Sequence, residues 1–167
     1  MTGYAVSDPA APVLTVVLPT YCEREGVGAL LPRLRRALEM SGISAEILVV
    51  DDDSPDGTAR AAEAALGGPG AGGAPHRVIV RRGVKRGLAA SGLEGFRRAR
   101  GTYLAVMDAD GSHPPEVVPR LLRVAREGAG CVAVASRFVP GGGTEGWPWR
   151  RRLASRVAGA MGRMLVP

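Results

Sequence analysis

The chain has 167 residues, a length that suits one ordinary domain, and 46% of them are hydrophobic, so a core is available. Aromatic residues make up only 4% and cysteines number 2. These counts argue against a base-stacking single-strand platform and against a disulfide framework, and a reducing compartment is the simpler expectation. The net charge of +6 is spread unevenly. Arg81, Arg82, Lys85 and Arg86 form one basic cluster, and Arg150, Arg151, Arg152, Arg156 and Arg163 another. Acidic residues gather at Asp51 to Asp53 and at Asp108 and Asp110. Basic clusters suit phosphates of any kind, or are simply solvated arginines.

Residues 1–12 read as a flexible tail without the basic start and apolar run of a signal peptide. No stretch reaches the ~20 apolar residues that cross a bilayer. The continuous apolar run Val13 to Leu18 predicts a buried parallel strand, stopped by Pro19. Leu30, Leu31, Leu34, Ala37 and Leu38 fall at helical spacing within a helix from Arg24 to Met40. Glu46 to Val50 is a second strand. Ser54-Pro55-Asp56 resembles a helix start, with a serine cap and a proline in the first turn, and that helix runs to about Leu66.

The Gly/Pro segment 67–75 is a loop, and Arg77 to Val80 a third strand. Gly87 to Arg100 predicts a helix weakened by Gly92 and Gly95, and Tyr103 to Met107 a fourth strand. Pro114 to Arg126 is a helix, Cys131 to Ala135 a fifth strand, and Trp149 to Leu165 a final basic helix. Alternating strands and helices imply an α/β fold with a mostly parallel sheet and right-handed crossovers. Ligands bind such sheets at the carboxyl ends of the strands. Glu23, Asp51 to Asp53, Asp108 with Asp110, and Arg137 all follow strands there, so four segments should converge on one crevice.

Two carboxylates leaving a buried strand at alternate positions, Asp108 and Asp110, repel each other unless a cation lies between them. A divalent ion held by few carboxylates plus substrate phosphates is the usual solution for Mg²⁺ or Mn²⁺. A pair of turn or cap residues is the bland alternative. Ser112 could add a hydroxyl ligand or cap the following helix, and the cap is the favoured reading. Among Asp51, Asp52 and Asp53, Asp52 could accept hydrogen bonds from a base or ribose, while Asp51 and Asp56 are better read as residues of the turn. No G-x-G-x-x-G follows the first strand and no Gly-rich GKS or GKT loop occurs, so dinucleotide and ATP-hydrolase readings lack their fingerprints. His76 reads as surface, and His113 stands beside the acidic pair.

Several segments together resemble the polyprenol-phosphate (dolichol-phosphate) mannosyltransferase branch of the family-2 glycosyltransferases. Pro19-Thr20-Tyr21-Cys22-Glu23-Arg24-Glu25 is similar to the opening PTYNERE, and Asp51-Asp52-Asp53-Ser54-Pro55-Asp56-Gly57-Thr58 to DDGSPDGT. Met107-Asp108-Ala109-Asp110-Gly111-Ser112-His113-Pro114-Pro115 is similar to MDADLSHPP, with Gly87-Leu88, Gly95-Phe96, Ser136-Arg137-Phe138 and the stretch from Gly146-Trp147 to Arg156 in matching order.

The resemblance implies a GT-A (Rossmann-like) domain over residues 13–167, holding the nucleotide-sugar-binding part and the start of the acceptor part. Pro19, Tyr21, Glu23, Val50 and Asp52 would cradle guanine and ribose. Asp108, Ala109 and Asp110 would hold metal and diphosphate, with Ser112 at the position of a further ligand. Arg137, Arg151 and Ser155 would bind the acceptor phosphate, and Arg137 would also face the donor. Asp110 and Arg137 would be the catalytic pair.

The implied reaction is inverting transfer of mannose from GDP-mannose to a polyprenol phosphate with Mg²⁺ or Mn²⁺. It would run on the cytoplasmic face of a membrane, with a membrane-embedded partner subunit as one means of attachment and without nucleic acid. A UDP-sugar donor, or donor binding without turnover, are the alternatives. Cys22 stands where the family carries Asn, and Asp53 where it carries Gly. Family members also continue beyond the point matching Pro167, so the domain is expected to be truncated at its C-terminus.

Overall fold

The computed structural model describes residues 11–67, 76–128 and 130–136, together with 139, 142–143, 148–150, 153–155 and 161. The chain divides into two compact units, Met1–Ala133 and Val134–Pro167. Among the described residues the first unit carries four strands, β1 (Leu14–Thr20), β2 (Ala45–Asp51), β3 (Arg77–Val80) and β4 (Tyr103–Val106). They alternate with helices α1 (Arg24–Met40), α2 (Thr58–Ala65) and α3 (Leu88–Arg98), and a 3₁₀ turn at Pro115–Val117 leads into α4 (Val118–Glu127). All pairings are parallel, in the order β3-β2-β1-β4.

Being central, β1 is buried along its whole length, which is why its sequence is a continuous apolar run rather than an alternation. Leu14, Val16 and Leu18 join Ile47 and Val49 of β2 beneath α1, whose Val27, Leu30, Leu31, Leu34 and Leu38 fill that face. Val17, Leu48 and Val50 point the other way, toward α3. Gly95 is the reason α3 can lie so close: a Cβ there would stand 2.3 Å from Val17 Cγ1. The glycine that weakens the helix in isolation is therefore what permits its packing.

Pro19 does not stop β1, which runs on to Thr20. Main-chain groups alternate sides along a strand. Met107 N–H donates to Val17 O on the β4 side, and Asp52 N–H to Thr20 O on the β2 side. Pro19 thus turns its missing donor toward β4, which has already ended at Val106, and no ladder bond is lost.

The second helix starts later than Ser54: Thr58 is its first residue, after Gly57 at φ 85°. Asp56, not Ser54, caps the turn, accepting from Thr58 N (3.0 Å) and Thr58 Oγ1 (2.6 Å). The Pro114 segment begins as a 3₁₀ turn before becoming helical.

The expected fifth strand is absent. Residues 131–136 have no regular structure, and Val132 and Val134 are 87% and 74% exposed. β-Branched residues favour a strand only when a neighbouring strand completes the ladder, and no described strand forms a ladder with this segment. In the second unit, Trp149, Arg150 and residues 153–155 are helical, within the expected basic helix. No described helix is long and apolar enough to cross a membrane.

Candidate functional site

The chain order brings β3 back across the sheet to β4, so the strand order reverses between β1 and β4, and that is where such sheets open a crevice. The β1–α1 and β2–α2 loops are stitched together above it. Cys22 N–H donates to Ser54 Oγ (2.9 Å), Glu23 N–H to Thr58 Oγ1 (2.9 Å) and Arg24 N–H to Asp56 Oδ2 (3.3 Å). Asp51 is fully buried and stays within this lacing. It accepts from Thr20 Oγ1 (3.0 Å), Ser54 Oγ (2.7 Å) and Ser54 N (2.8 Å).

Asp52 is also buried, at 3% exposure, and its carboxylate is heavily engaged. One oxygen accepts from Arg81 Nη1 and from Ser91 Oγ (2.7 Å), the other from Gly87 N–H (2.7 Å). Burial works to raise its pKa. The bonds from Gly87, Ser91 and Arg81 and the Arg81 charge outweigh that, so the carboxyl is held below the ordinary aspartate value. Arg81, Ser91 and Gly87 were not singled out for this role from sequence. The basic cluster after β3 was the available signal, but which arginine turns inward depends on how α3 docks.

Across the switch point stands the acidic loop. Asp108 and Asp110 are exposed while Ala109 between them is buried. Asp110 is fixed by Ser112, whose N–H (2.8 Å) and Oγ (2.7 Å) reach its two oxygens. Those bonds, Ser112 Oγ first, hold its pKa below the ordinary value and keep it ionised. Contrary to the expectation from sequence, Ser112 therefore does not cap the following helix: its hydroxyl and its N–H are both spent on Asp110.

Glu23 faces this loop. Its pKa is raised, first by burial and then by the negative charges of Asp110, Asp56 and Asp108. Four carboxylates from three loops thus share one field. Among the described residues, no three His, Cys, Asp or Glu side chains are gathered closely enough to cage a metal alone. Two exposed carboxylates with accumulated negative charge fit an ion that completes its shell with phosphate oxygens and water.

Tyr21 lies at the rim, 46% exposed, with Arg86 Cζ 4.7 Å from its ring centroid. Pro19 and Val50 are register partners in the sheet, both buried. The structure thus brings Tyr21 and Asp52 together on one side of the crevice through Arg86, and Glu23, Asp108 and Asp110 on the other. Arg137 and Arg151 lie outside the described residues. Ser155 is helical and half-buried in the second unit. His76 is not plain surface: it is half-buried and its Nδ1 accepts from Ile47 N–H (3.0 Å).

A parallel α/β sheet with an exposed acidic loop at its switch point is the arrangement of a GT-A type domain. Solved structures agree on the fold. A mannosyltransferase from Pyrobaculum calidifontis, in complex with GDP-mannose and Mn²⁺, superposes with a TM-score of 0.58 at 23% identity, covering 69% of this chain and 32% of that one. Mannosyl-3-phosphoglycerate synthase from Rubrobacter xylanophilus gives 0.55 at 24% identity, over 66% of this chain and 35% of that one.

The profile of glycosyl transferase family 2 matches residues 15–164, and the chain belongs to that family. Curated relatives are a dolichol-phosphate mannosyltransferase of Pyrococcus furiosus (42% identical, 92% of this chain, 41% of the relative) and a polyprenol monophosphomannose synthase of Mycolicibacterium smegmatis (44%, 90% and 55%). An undecaprenyl-phosphate mannosyltransferase of Micrococcus luteus is 40% identical over 92% of this chain and 60% of its own. The chain thus spans about half the length of the curated relatives it matches.

Proposed function

We propose that this domain binds GDP-mannose with Mg²⁺ or Mn²⁺ and serves the inverting transfer of mannose to a polyprenol phosphate. The observation that carries the reading is the acidic field at the switch point, where Glu23, Asp108 and Asp110 converge. The mannosyltransferase relatives and the Pyrobaculum neighbour solved with GDP-mannose and Mn²⁺ support the choice of donor.

On this reading Tyr21, Glu23 and Asp52 lie at the nucleoside end, with the backbone of Pro19 and Val50 beneath them. Asp108 and Asp110 hold the metal, and Ser112 keeps the Asp110 carboxylate ionised and oriented. The bound ion would draw charge from the departing diphosphate. An acceptor phosphate is already anionic and attacks the anomeric carbon without a dedicated general base. Arg137, Arg151 and Ser155 are proposed to position that phosphate and offset its charge. The lipid acceptor places the site at a membrane surface, the cytoplasmic one on this reading.

Calorimetric titration of GDP and UDP, with and without Mn²⁺, tests the reading. Metal-dependent preference for GDP is expected, lost in Asp110→Ala. A preference for UDP would move the assignment to a UDP-sugar donor. Metal-independent binding, or unchanged metal dependence in Asp110→Ala, would remove the metal site.

A further inference from the structure

Arg86 is solvent-exposed, yet it is the most connected side chain between the two loops of the crevice rim. Its Nε donates to Asp52 O (3.0 Å) and its Nη2 to Asp53 O (3.4 Å), both in the β2–α2 loop. Its Nη1 donates to Tyr21 Oη (3.1 Å), and its guanidinium lies over the Tyr21 ring at 4.7 Å, in the β1–α1 loop. These bonds go to carbonyl and hydroxyl oxygens. The nearby carboxylates have other partners: Asp52 is neutralised by Arg81, and Asp53 is paired with Arg82 at 3.6 Å. Arg86 is therefore placed by shape and by the ring, not by a counter-charge. A planar fork that stacks on an aromatic face while bonding in two directions is a role lysine cannot fill. With Arg86 in place Tyr21 is still 46% exposed, so the residue remains open to a ligand at the rim.

We propose that Arg86 is a base-positioning residue: it pins the Tyr21 ring to the β2–α2 loop as a platform on which a purine base stacks. It acts through Tyr21 and does not itself contact the phosphates. The inference rests on the donor-nucleotide reading above and adds to it the element that orders the base end of the site. It also gives one member of the basic cluster after β3 a role other than phosphate attraction.

The test is GDP affinity in the presence of Mn²⁺ for wild type, Arg86→Ala, Tyr21→Ala and the double variant, with thermal unfolding of each to confirm folding. Each single change is expected to weaken GDP about tenfold, and the double variant to stay within about twofold of Tyr21→Ala, because without the ring Arg86 has no platform through which to act on the base. Arg86→Lys is expected to recover less than half of the lost affinity. Additive losses, approaching about a hundredfold in the double variant, would mean an independent contact such as one to phosphate, and would overturn the proposal. Unchanged affinity in Arg86→Ala, or full rescue by lysine, would overturn it as well. Failure of the wild type to bind GDP would instead sink the donor reading on which it rests.

Discussion

The first turn of α1 meets the acidic loop at Gly26, where a Cβ would stand 2.4 Å from the carbonyl oxygen of Ala109. Backbone against backbone leaves no flexible group to give way. The contact sets the distance from Glu23 to Asp108 and Asp110, since Glu23 immediately precedes α1. Gly26→Ala must push the loop outward or tilt the helix. We expect a loss of roughly 1–3 kcal/mol in urea unfolding, and a loss of Mn²⁺-dependent GDP affinity larger than that in Gly28→Ala. Gly28, two residues further along the same helix, has nothing within 4 Å of a built Cβ and is the control. Equal effects of the two substitutions would show that the Ala109 contact does not shape the site.

Cys22 and Asp53 are the non-glycine residues with positive φ among those described, at 57° and 55°. In the loops after β1 and β2 they stand where the family this chain resembles carries Asn and Gly. Both loops need a left-handed residue, and Asn in place of Cys, or Gly in place of Asp, adopts that conformation at lower cost. Cys22→Asn and Asp53→Gly are each expected to stabilise the fold by roughly 0.5–1 kcal/mol in urea or guanidinium unfolding. The Asp53–Arg82 pair lost in the second is long and exposed, so its removal offsets little of the gain. Destabilisation by both would show that these side chains make contributions beyond their backbone angles.

Much of this was legible because it is local. The apolar run of β1, the spacing of Leu30, Leu31, Leu34 and Leu38, and the limits of β3 at Arg77 and Val80 follow from burial patterns along the chain. The carboxylates were legible as strand-end residues, and the sheet order carried them to one crevice. What escaped depends on partners far away in sequence. Ser54 looks like a helix cap, but its hydroxyl is taken by Asp51 and its lone pair by Cys22 N–H, which moves the helix start to Thr58. Residues 131–135 have strand chemistry, but no described strand lies in a ladder with them. Glu46 sits fully buried in β2 because Arg77, Thr15 Oγ1 and Arg100 N–H all reach it. No periodicity announces such a site.

The buried Asp52–Arg81 pair should matter more to stability than the exposed pairs of this chain. Replacing Arg81 by Met removes the cation and leaves a buried carboxylate with Ser91 and Gly87 alone. The expected loss is roughly 3 kcal/mol, measured by chemical unfolding near neutral pH. Because the folded-state pKa of Asp52 is lowered, its contribution is fully present above the unfolded value near 4. It is lost as pH falls through the lower folded value. Asp52→Asn should therefore be less stable than wild type at neutral pH and converge toward it in acid. A constant difference from neutral pH down to about pH 2 would show that the pair carries no net charge contribution.

His76 predicts a second pH dependence, in a different window. Its Nδ1 accepts the Ile47 N–H, so the ring must be deprotonated at that nitrogen to tie the start of β3 to β2. Burial, and then the charge of Arg35 on α1, push its pKa below the ordinary histidine value. Glu39 on α1 and Glu46 on β2 pull it back only in part. The unfolded chain therefore binds a proton at higher pH than the folded one. This contribution is full above the unfolded value near 6.5 and declines as pH falls from there toward the folded value, below which it has no further slope. Wild-type stability should accordingly drop between about pH 7 and pH 5. His76→Asn, which offers a carbonyl oxygen in place of Nδ1 and cannot titrate, should lose that slope while keeping most of the neutral-pH stability. Urea midpoints across this range decide the matter: parallel curves for the two proteins would mean that the ring is not held neutral by the fold, and that the Ile47 bond contributes nothing to the docking of β3.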